Sequence, residues 1–429
     1  MAATAKRLQQ SKRTQMLNSI RCIGLVSCAV FCSQLAALEF KANGVVDLRL
    51  SHNNSNTSYL RGGYGKFSSD SSAGIALSQV GGQFSAAWNN GVSANLVLNG
   101  YSEERKSRAG VTEAYVKYKS LPSASGYRWE NRTGLFYPHI SLENRAFAWA
   151  SVNTLNSSTL NTWLGEEIRL LGSELKFPRL GKMHADPYDI SVTTSVFSNN
   201  DPAAALLAWH GWTSSNRQTF WGQARAFPQG PAHQPGQILQ HQDSVSKPYL
   251  ELDDRLGYLL QFDWRQHRKG HILFGYYDNR ALPFIVENGQ YGWDTKFVYA
   301  GASWKLAPGL KLSSQYLAGT SLMQTPSGED VVNNRYSSAF VALSKQLNKH
   351  QFTARVEEFS VTDRDHQAGD NNDEYGRAAT FNYTYRLVKP WFLSAEYSVI
   401  KSNRPSRQYR AQPAKLTEQQ LQFAARYFF

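Results

Sequence analysis

The sequence predicts an all-β fold, a transmembrane antiparallel up-and-down β-barrel of about sixteen strands that follows a cleaved signal peptide. Three observations lead to this prediction. The last strand alternates apolar and polar residues and ends at Phe429, short turns alternate with longer polar loops along the chain, and residues 1–37 have the organisation of an export signal. Strict alternation is the period of a strand whose two faces meet different surroundings.

The C-terminal strand shows the alternation most clearly. One side carries Leu421, Phe423, Ala425, Tyr427 and Phe429, and the other carries Gln420, Gln422, Ala424 and Arg426, with Phe428 as the one apolar exception. This pattern resembles the closing strand of outer-membrane β-barrels. That resemblance implies that Tyr427 and Phe429 form the signal read by the barrel-assembly machinery.

The N-terminus predicts export. Five basic residues and no acidic residue precede the uncharged, mostly apolar run from Cys22 to Ala37, so residues 1–37 form a signal peptide and residues 38–429 the barrel. Met16 is an alternative start, and Cys28 an alternative, less favoured lipidation site. Cleavage after Ala37 would remove all three cysteines. The mature chain would then contain no disulfide, zinc-thiolate site or catalytic thiol.

Charge and hydropathy argue against a nucleic-acid-binding protein and are compatible with a barrel. The net charge of +13 falls to +8 without the five basic residues of the signal, and no dense basic run remains, so we expect no nucleic-acid partner. Mean hydropathy is −0.47, yet 13% of residues are aromatic. A barrel reconciles the two values because only alternate residues face lipid. A soluble β-sandwich or propeller is the alternative, but it explains neither the strand lengths nor the terminal Phe.

The strands are read from alternation and turn signals. The first eight are predicted at residues 38–52, 73–88, 92–102, 110–119, 127–137, 167–177, 189–197 and 255–265. Eight more follow, joined by short turns near residues 268–270, 307–309, 347–350 and 387–390. Sixteen strands place both termini on the short-turn side, and fourteen or eighteen remain open. A further strand, Arg217 to Ala226, is assigned to the longest loop.

Aromatic residues mark the short-turn end of the strands, where rings with an apolar body and a polar edge suit the headgroup level. They are Trp88, Trp129, Trp264, Trp304, Trp391 and Tyr427.

The inner face of the predicted barrel carries charges of both signs. An interior this wide cannot be filled by side chains of the wall, so a water-filled passage is expected unless a loop enters. Charges on such a passage would orient and filter solutes, although each could be an ordinary solvated residue. The pore-lining candidates are Arg128, Glu130, Arg132, Asp263, Arg265, Lys311, Gln315, Arg355, Arg386, Glu396 and Arg426.

The layout of the whole mature chain resembles the sixteen-stranded general porins of Gram-negative bacteria. In that family the third long loop folds inward and narrows the pore. Here the third loop is Pro138 to Glu166, and its constriction candidates are Glu143, Arg145, Trp149 and Trp163. The resemblance also implies an outer-membrane location, contact with lipid and lipopolysaccharide, and a homotrimer.

Two further loops carry distinctive residues. The segment Ala203 to Trp212 is too apolar to lie free in water, and could be a lid in the barrel mouth or a latch on a neighbouring subunit. An outer loop is acidic and could hold Ca²⁺ or bridge to lipopolysaccharide, although a solvated acidic loop is the favoured interpretation. Its weak metal candidates are Asp363, Asp365, Asp370, Asp373 and Glu374.

Catalysis is not expected. The nearest constellation is His139 with Ser141 and Glu143, and no nucleophile motif accompanies it. A TonB-dependent transporter would need a plug domain and about 22 strands. The sequence therefore predicts a passive channel for small hydrophilic solutes without a cofactor, with a weak anion preference. The alternative is a closed or plugged barrel with an adhesion, envelope-integrity or ligand-binding role.

Overall fold

The computed structural model describes residues 38–70, 73–103 and 106–429. The predicted signal peptide, with its cysteines, lies outside the described residues. Sixteen strands form one closed antiparallel barrel, in which each strand pairs with the next along the chain and the last pairs with the first. The predicted fold class and the count of sixteen strands are confirmed.

The strands are named β1 to β16 in chain order. The first eight are β1 Glu39–Asn53, β2 Gly74–Ala87, β3 Val92–Glu103, β4 Lys106–Lys119, β5 Glu130–Phe136, β6 Leu170–Arg179, β7 Tyr188–Ser198 and β8 Gly257–Gln266. The second eight are β9 Gly270–Asp278, β10 Asp294–Ala307, β11 Leu310–Gln324, β12 Asp330–Leu347, β13 His350–Asp363, β14 Glu374–Val388, β15 Trp391–Asn403 and β16 Lys415–Phe428. Two long loops lie between them, L3 (residues 137–169) and L4 (residues 199–256).

The outer wall has the apolar face that the alternation predicts. Leu421 and Phe423 on β16 are exposed, whereas Gln420 and Gln422, which alternate with them, are buried on the inside. The same holds on β8, where Leu260 is exposed and Gln261 and Asp263 are buried. No helix in the described part of the chain is both long enough and apolar enough to cross a membrane.

The aromatic residues at the short-turn end contact one another, Trp264 and Trp304 over the intervening strand β9 and Trp391 and Tyr427 on neighbouring strands. The rings of Trp264 and Trp304 stack with centroids 5.8 Å apart, and those of Trp391 and Tyr427 lie 4.8 Å apart. Such pairs of amphipathic rings are typical of the edge of a membrane-spanning wall.

The strands predicted on either side of L3 differ from the observed elements. The predicted strand 127–137 is shorter, because only Glu130–Phe136 is in the sheet, and the predicted strand 167–177 begins at Leu170. Glu167 instead ends a helix, α1, at Thr159–Glu167. Glu167 accepts a hydrogen bond from Trp163 one turn earlier at 2.7 Å. That contact at four-residue spacing favours helix over strand.

L4 contains little regular structure. A six-residue helix, α2, spans Ala205–His210, and Arg225–Ala226 pairs with Val245–Ser246 in a two-residue ladder. The predicted extra strand from Arg217 to Ala226 therefore belongs to the loop, as assigned, and only its last two residues are extended in a sheet.

The barrel closes at the C-terminus of the chain. The backbone groups of Gly44 and Phe429 exchange two hydrogen bonds of 2.8 and 3.1 Å. A Cβ at residue 44 would lie 2.4 Å from the Phe429 ring and 2.8 Å from the carbonyl oxygen of Gly81. Only glycine therefore lets β1, β2 and the terminal ring meet at this point.

We predict that Gly44→Ala weakens closure of the barrel, because the new methyl group must displace the Phe429 ring or the β2 backbone. Overpacking of this kind costs about 1–3 kcal/mol. The variant should lose its folded, heat-modifiable band on SDS gels at a lower temperature than the parent. Gly74→Ala is the matched control, because its Cβ would meet nothing within 4 Å. Equal melting of the two variants would contradict this account of closure.

Candidate functional site: a loop-filled lumen and a basic inner mouth

L3 folds into the barrel, as the sequence predicts for the third loop. All nine residues of α1 are buried, although they belong to a connection between strands. Ser158 caps the helix by accepting a hydrogen bond from the amide of Asn161 at 3.3 Å. Connections normally run over a protein surface because their backbone groups need water. L3 must therefore find hydrogen-bond partners inside the barrel.

Carboxylates on the inner wall supply those partners. Glu357 on β13 accepts from the backbone amide of Thr159 at 2.7 Å and from its hydroxyl at 3.1 Å. Glu396 on β15 accepts from the amides of Leu155 at 2.5 Å and Asn156 at 3.0 Å. Charged acceptors make the stronger class of protein hydrogen bonds. The wall thus holds the segment just before α1 and the first residue of the helix.

Glu143 ties a second part of L3 to the same wall. Its Oε2 atom accepts from the amide of Ser158 at 2.9 Å, from the Ser158 hydroxyl at 2.6 Å and from the Asn161 side chain at 2.8 Å. Its Oε1 atom faces Arg355 Nη1 at 2.5 Å, and Arg355 also pairs with Glu357 at 2.8 Å. These charges are buried, so each depends on the others for compensation.

The outer part of the lumen contains an apolar core. The ring of Trp163 on α1 lies 5.5 Å from Phe297, 5.3 Å from Tyr336 and 5.9 Å from Trp212, centroid to centroid. Phe297 and Tyr336 point inward from the wall, whereas Trp212 belongs to L4. Trp163 therefore packs inside a core and does not border a passage.

L4 packs above L3. Residues 199–220 form one continuous buried run. Glu167 of α1 accepts from the amides of Leu206 at 3.0 Å and Leu207 at 3.3 Å, and burial raises the pKa of Glu167 to about 8. Trp212 donates from Nε1 to the carbonyl of Ser360 on β13 at 3.0 Å. The apolar segment Ala203 to Trp212 therefore packs against the inside of its own barrel wall.

Below these loops, toward the short turns, the lumen holds two cavities of about 430 and 680 Å³. Three residues line both cavities: Arg145 from L3, Arg265 from β8 and His271 from β9. Arg145 Nη2 lies 2.9 Å from His271 Nδ1, and His271 Nε2 lies 2.6 Å from Asp263 Oδ1. We call Arg145, Arg265 and His271 the constriction, because they separate the two cavities.

The cavity nearest the short turns is strongly basic. Its lining includes seven Lys or Arg residues and no carboxylate: Arg145, Lys182, Arg265, Arg268, Lys269, Lys305 and Lys311. Burial, followed by the charge of Arg265, lowers the pKa of Arg145, as expected when cations crowd a partly enclosed space. We call this cavity the basic mouth.

The other cavity, of about 430 Å³, is lined by charges of both signs. Glu113, Glu174 and Asp263 line it together with Lys176 and His139. The charge of Arg132, followed by burial, lowers the pKa of His139 to about 3, so this imidazole is neutral at neutral pH.

The predicted pore-lining residues divide into two groups. Asp263, Arg265 and Lys311 line the cavities. The others have partners in L3 or on neighbouring wall residues: Arg355 and Glu396 as described, Gln315 with Leu142 and Asn161, Arg426 with the Ser151 carbonyl, Arg132 with Glu174, and Arg128 with Glu130. Arg386 is exposed near a short turn, with its guanidinium 5.9 Å from the Phe392 ring centroid. L3 occupies the space in front of several of these side chains, including Glu396 and Arg426.

Of the constriction candidates of L3, two line the cavities and two hold the loop in place. Arg145 forms part of the constriction, and Trp149 lines the cavity of about 430 Å³ beside Tyr137, with ring centroids 5.4 Å apart. Glu143 and Trp163 instead fix the loop in place. His271 and Glu357 were missed, although the pattern contained both. His271 lies directly opposite Arg265 across the β8–β9 turn, and Glu357 lies on the same face as Arg355 two residues away.

The acidic loop does not bring its five carboxylates together. Asp363 accepts from the backbone amides of Asp365, His366 and Asn372, and Glu374 pairs with Lys66. Within the described ranges, the one group of carboxylates whose oxygens lie within 4.8 Å of one another is Asp201, Glu251 and Asp253. The metal candidates of the acidic loop therefore do not form such a group.

We predict that Glu357→Gln loosens L3, because the change leaves Arg355 undercompensated and weakens the bonds to Thr159. Removing one partner of a buried ion pair costs up to about 3–5 kcal/mol. Limited proteolysis of the folded barrel should cut L3 sooner than in the parent. Glu358→Gln, one residue further on and exposed on the outer face, is the control. Unchanged protection of L3 in Glu357→Gln would argue against anchoring by the wall.

Comparison with known proteins supports the fold. No protein-family model and no curated protein matches the sequence. Among solved structures, the chain is similar to the outer-membrane channel DcaP of Acinetobacter baumannii, with 12% identity, a TM-score of 0.52, and 92% of this chain and 99% of that one covered. The anion-selective porin of Comamonas acidovorans has 13% identity and a TM-score of 0.51, with 92% of this chain and 100% of that one covered. The trimer form of OmpT of Vibrio cholerae has 10% identity and a TM-score of 0.51, with 92% of this chain and 100% of that one covered. The chain therefore has the fold of outer-membrane porin barrels.

Proposed function

We propose that the protein is a porin-like channel in the outer membrane of a Gram-negative bacterium, admitting small hydrophilic solutes with a preference for anions. The observation that carries this proposal is the basic mouth, with its seven cationic side chains and no carboxylate. A wet cavity lined by one sign of charge concentrates ions of the opposite sign. Rings of Arg and Lys are the usual lining of anion-selective pores.

The constriction would set the size and charge filter. Arg145 belongs to L3, whereas His271 and Arg265 belong to the wall, so the width of the passage depends on where L3 lies. A solute that displaces the Arg145–His271 contact gains a guanidinium donor from Arg145. The arrangement therefore favours carboxylates and phosphates over cations.

L3 and L4 fill the outer part of the lumen, and conduction would require them to shift. The continuous buried runs 154–170 and 199–220 support a channel that is closed or narrow at rest. The same runs favour a second candidate function, a permanently plugged barrel that binds a ligand or serves the envelope. An open barrel without loop movement has no support from this packing.

A catalytic role forms no part of the proposal. In the predicted constellation, Ser141 Oγ donates to Asn144 at 3.1 Å, and Glu143 is bound by Ser158 and Arg355. Ser141 and Glu143 thus have structural partners. We include a homotrimer in the proposal, in line with the porin resemblance and with the trimer form of OmpT. Lipopolysaccharide and the assembly machinery are the further partners that an outer-membrane location would supply.

We predict that the protein, produced from the full chain and inserted into a planar bilayer under a KCl gradient, gives openings whose reversal potential has the sign of Cl⁻ preference. Arg265→Glu combined with Lys311→Glu should move this potential toward K⁺, because the basic mouth loses two positive charges and gains two negative ones. Lys401→Glu, exposed on the strand face opposite buried Ile400, should leave it unchanged.

Absence of openings in both the parent and Glu357→Gln, with the barrel shown to be folded, would refute the channel and favour the plugged barrel. Openings with an unchanged reversal potential in the double variant would keep the channel and remove the basic mouth as its filter.

A further inference from the structure

The two ends of L4 meet at the rim of the barrel, away from the cavities. Asp201 lies three residues after β7 ends at Ser198, and Asp253 lies four residues before β8 begins at Gly257. Glu251 is two residues before Asp253. The backbone links the same two ends, because the amide of Asp201 donates to the carbonyl of Leu250 at 3.2 Å. Three carboxylates thus converge where a connection of more than fifty residues leaves and rejoins the wall.

Their geometry suits one cation. Asp201, Glu251 and Asp253 each offer an oxygen, and these oxygens lie within 4.8 Å of one another. Two oxygens that bind the same Ca²⁺ ion at 2.3–2.6 Å cannot be farther apart than roughly 5 Å. Asp201 is 1% exposed, and the other two side chains are half-buried. The group is therefore unlike a solvated acidic loop.

The carboxylates are already oriented by the backbone. Asp201 Oδ2 accepts from the amide of Leu252 at 2.5 Å, and Glu251 Oε2 accepts from the amide of Asn199. Asp253 Oδ2 accepts from the amide of Leu282 at 2.5 Å. Asp253 Oδ1 also accepts from the amide of Arg255 at 2.9 Å. Asp201 and Glu251 are thus each fixed through one oxygen and Asp253 through both, and the bonds draw on both ends of L4 and on the neighbouring loop.

Two oxygens remain without a partner. Asp201 Oδ1 and Glu251 Oε1 are buried, and no N–H or hydroxyl donor reaches either of them. Leaving a buried charged oxygen unpaired is costly, and such groups normally pair with a cation or a donor. A cation bound at this point would therefore be stabilised by the unpaired oxygens.

We propose that Asp201, Glu251 and Asp253 form a Ca²⁺ site that joins the two ends of L4 at the rim of the barrel. Three carboxylates supply hard oxygen ligands of the type and charge that Ca²⁺ takes, and the flexible coordination of Ca²⁺ tolerates ligands from different loop segments. Mg²⁺ fits less well because it requires near-ideal octahedral geometry. The ion stabilises the packed position of L4 whether or not the barrel conducts.

The test measures Ca²⁺ binding and stability of the folded protein, produced from the full chain and treated with a chelator. Calorimetric titration with CaCl₂ should give one site per chain, and the unfolding temperature should rise by a few degrees with increasing Ca²⁺. Asp201→Asn and Glu251→Gln should each lower the affinity by about tenfold or more and abolish the rise. MgCl₂ at the same concentrations should produce a smaller rise.

Asp243→Asn is the matched control, because this acid lies in the same loop but is partly exposed and pairs with Lys247 at 2.9 Å. It should keep the full response to Ca²⁺. Asp365→Asn tests the acidic loop between β13 and β14. No Ca²⁺-dependent rise in the parent, or a rise that survives Asp201→Asn and Glu251→Gln, would overturn the proposal. A rise lost only in Asp365→Asn would overturn it as well. If Asp201→Asn fails to fold, the half-buried Glu251→Gln decides the outcome.

Discussion

The interior of this barrel depends on acceptors that the wall provides for backbone amides of L3. Sixteen strands enclose a space too wide for wall side chains to fill, and a loop entering that space would lose its hydrogen bonds to water. Glu357 and Glu396 replace those bonds for Thr159, Leu155 and Asn156. The buried carboxylates are in turn compensated by Arg355. One polar network therefore stabilises the inward position of the loop by replacing its hydrogen bonds to water.

The rest of the lumen follows from that position. Once α1 is fixed, Trp163 presents a surface on which Trp212 and the inward aromatic residues of the wall can pack. L4 then closes over this core, with Glu167 accepting the first amides of α2. The cavities lie on the short-turn side, where Arg145 at the inner part of L3 meets His271 and the basic mouth begins. The same loop thus separates a packed outer half of the lumen from an inner half that holds the cavities.

The sequence predicted the wall far better than the interior. Alternation, turn signals and the terminal Phe are local, so strand number and faces could be inferred, whereas the inward third loop was expected from the resemblance to general porins. The sequence could not show which charged residues remain in contact with water, because that depends on where L3 lies after folding. Arg355 and Arg265 look alike in sequence, each on the polar face of an alternating strand, yet one is buried against Glu143 and the other lines the mouth. Likewise Asp201 and Asp253 are 52 positions apart, and they come together because β7 pairs with β8.

The central claim is that L3 lies inside the barrel against the wall, and a disulfide tests it most directly. Thr159 Oγ1 on α1 and Ser338 Oγ on β12 lie 3.0 Å apart, which suits the short Cβ separation of a disulfide. Thr159→Cys combined with Ser338→Cys should therefore form a cross-link under mild oxidation that shifts mobility on gels, whereas each single variant should not. Two thiols that stay reduced and both react with a membrane-impermeant reagent would contradict the account.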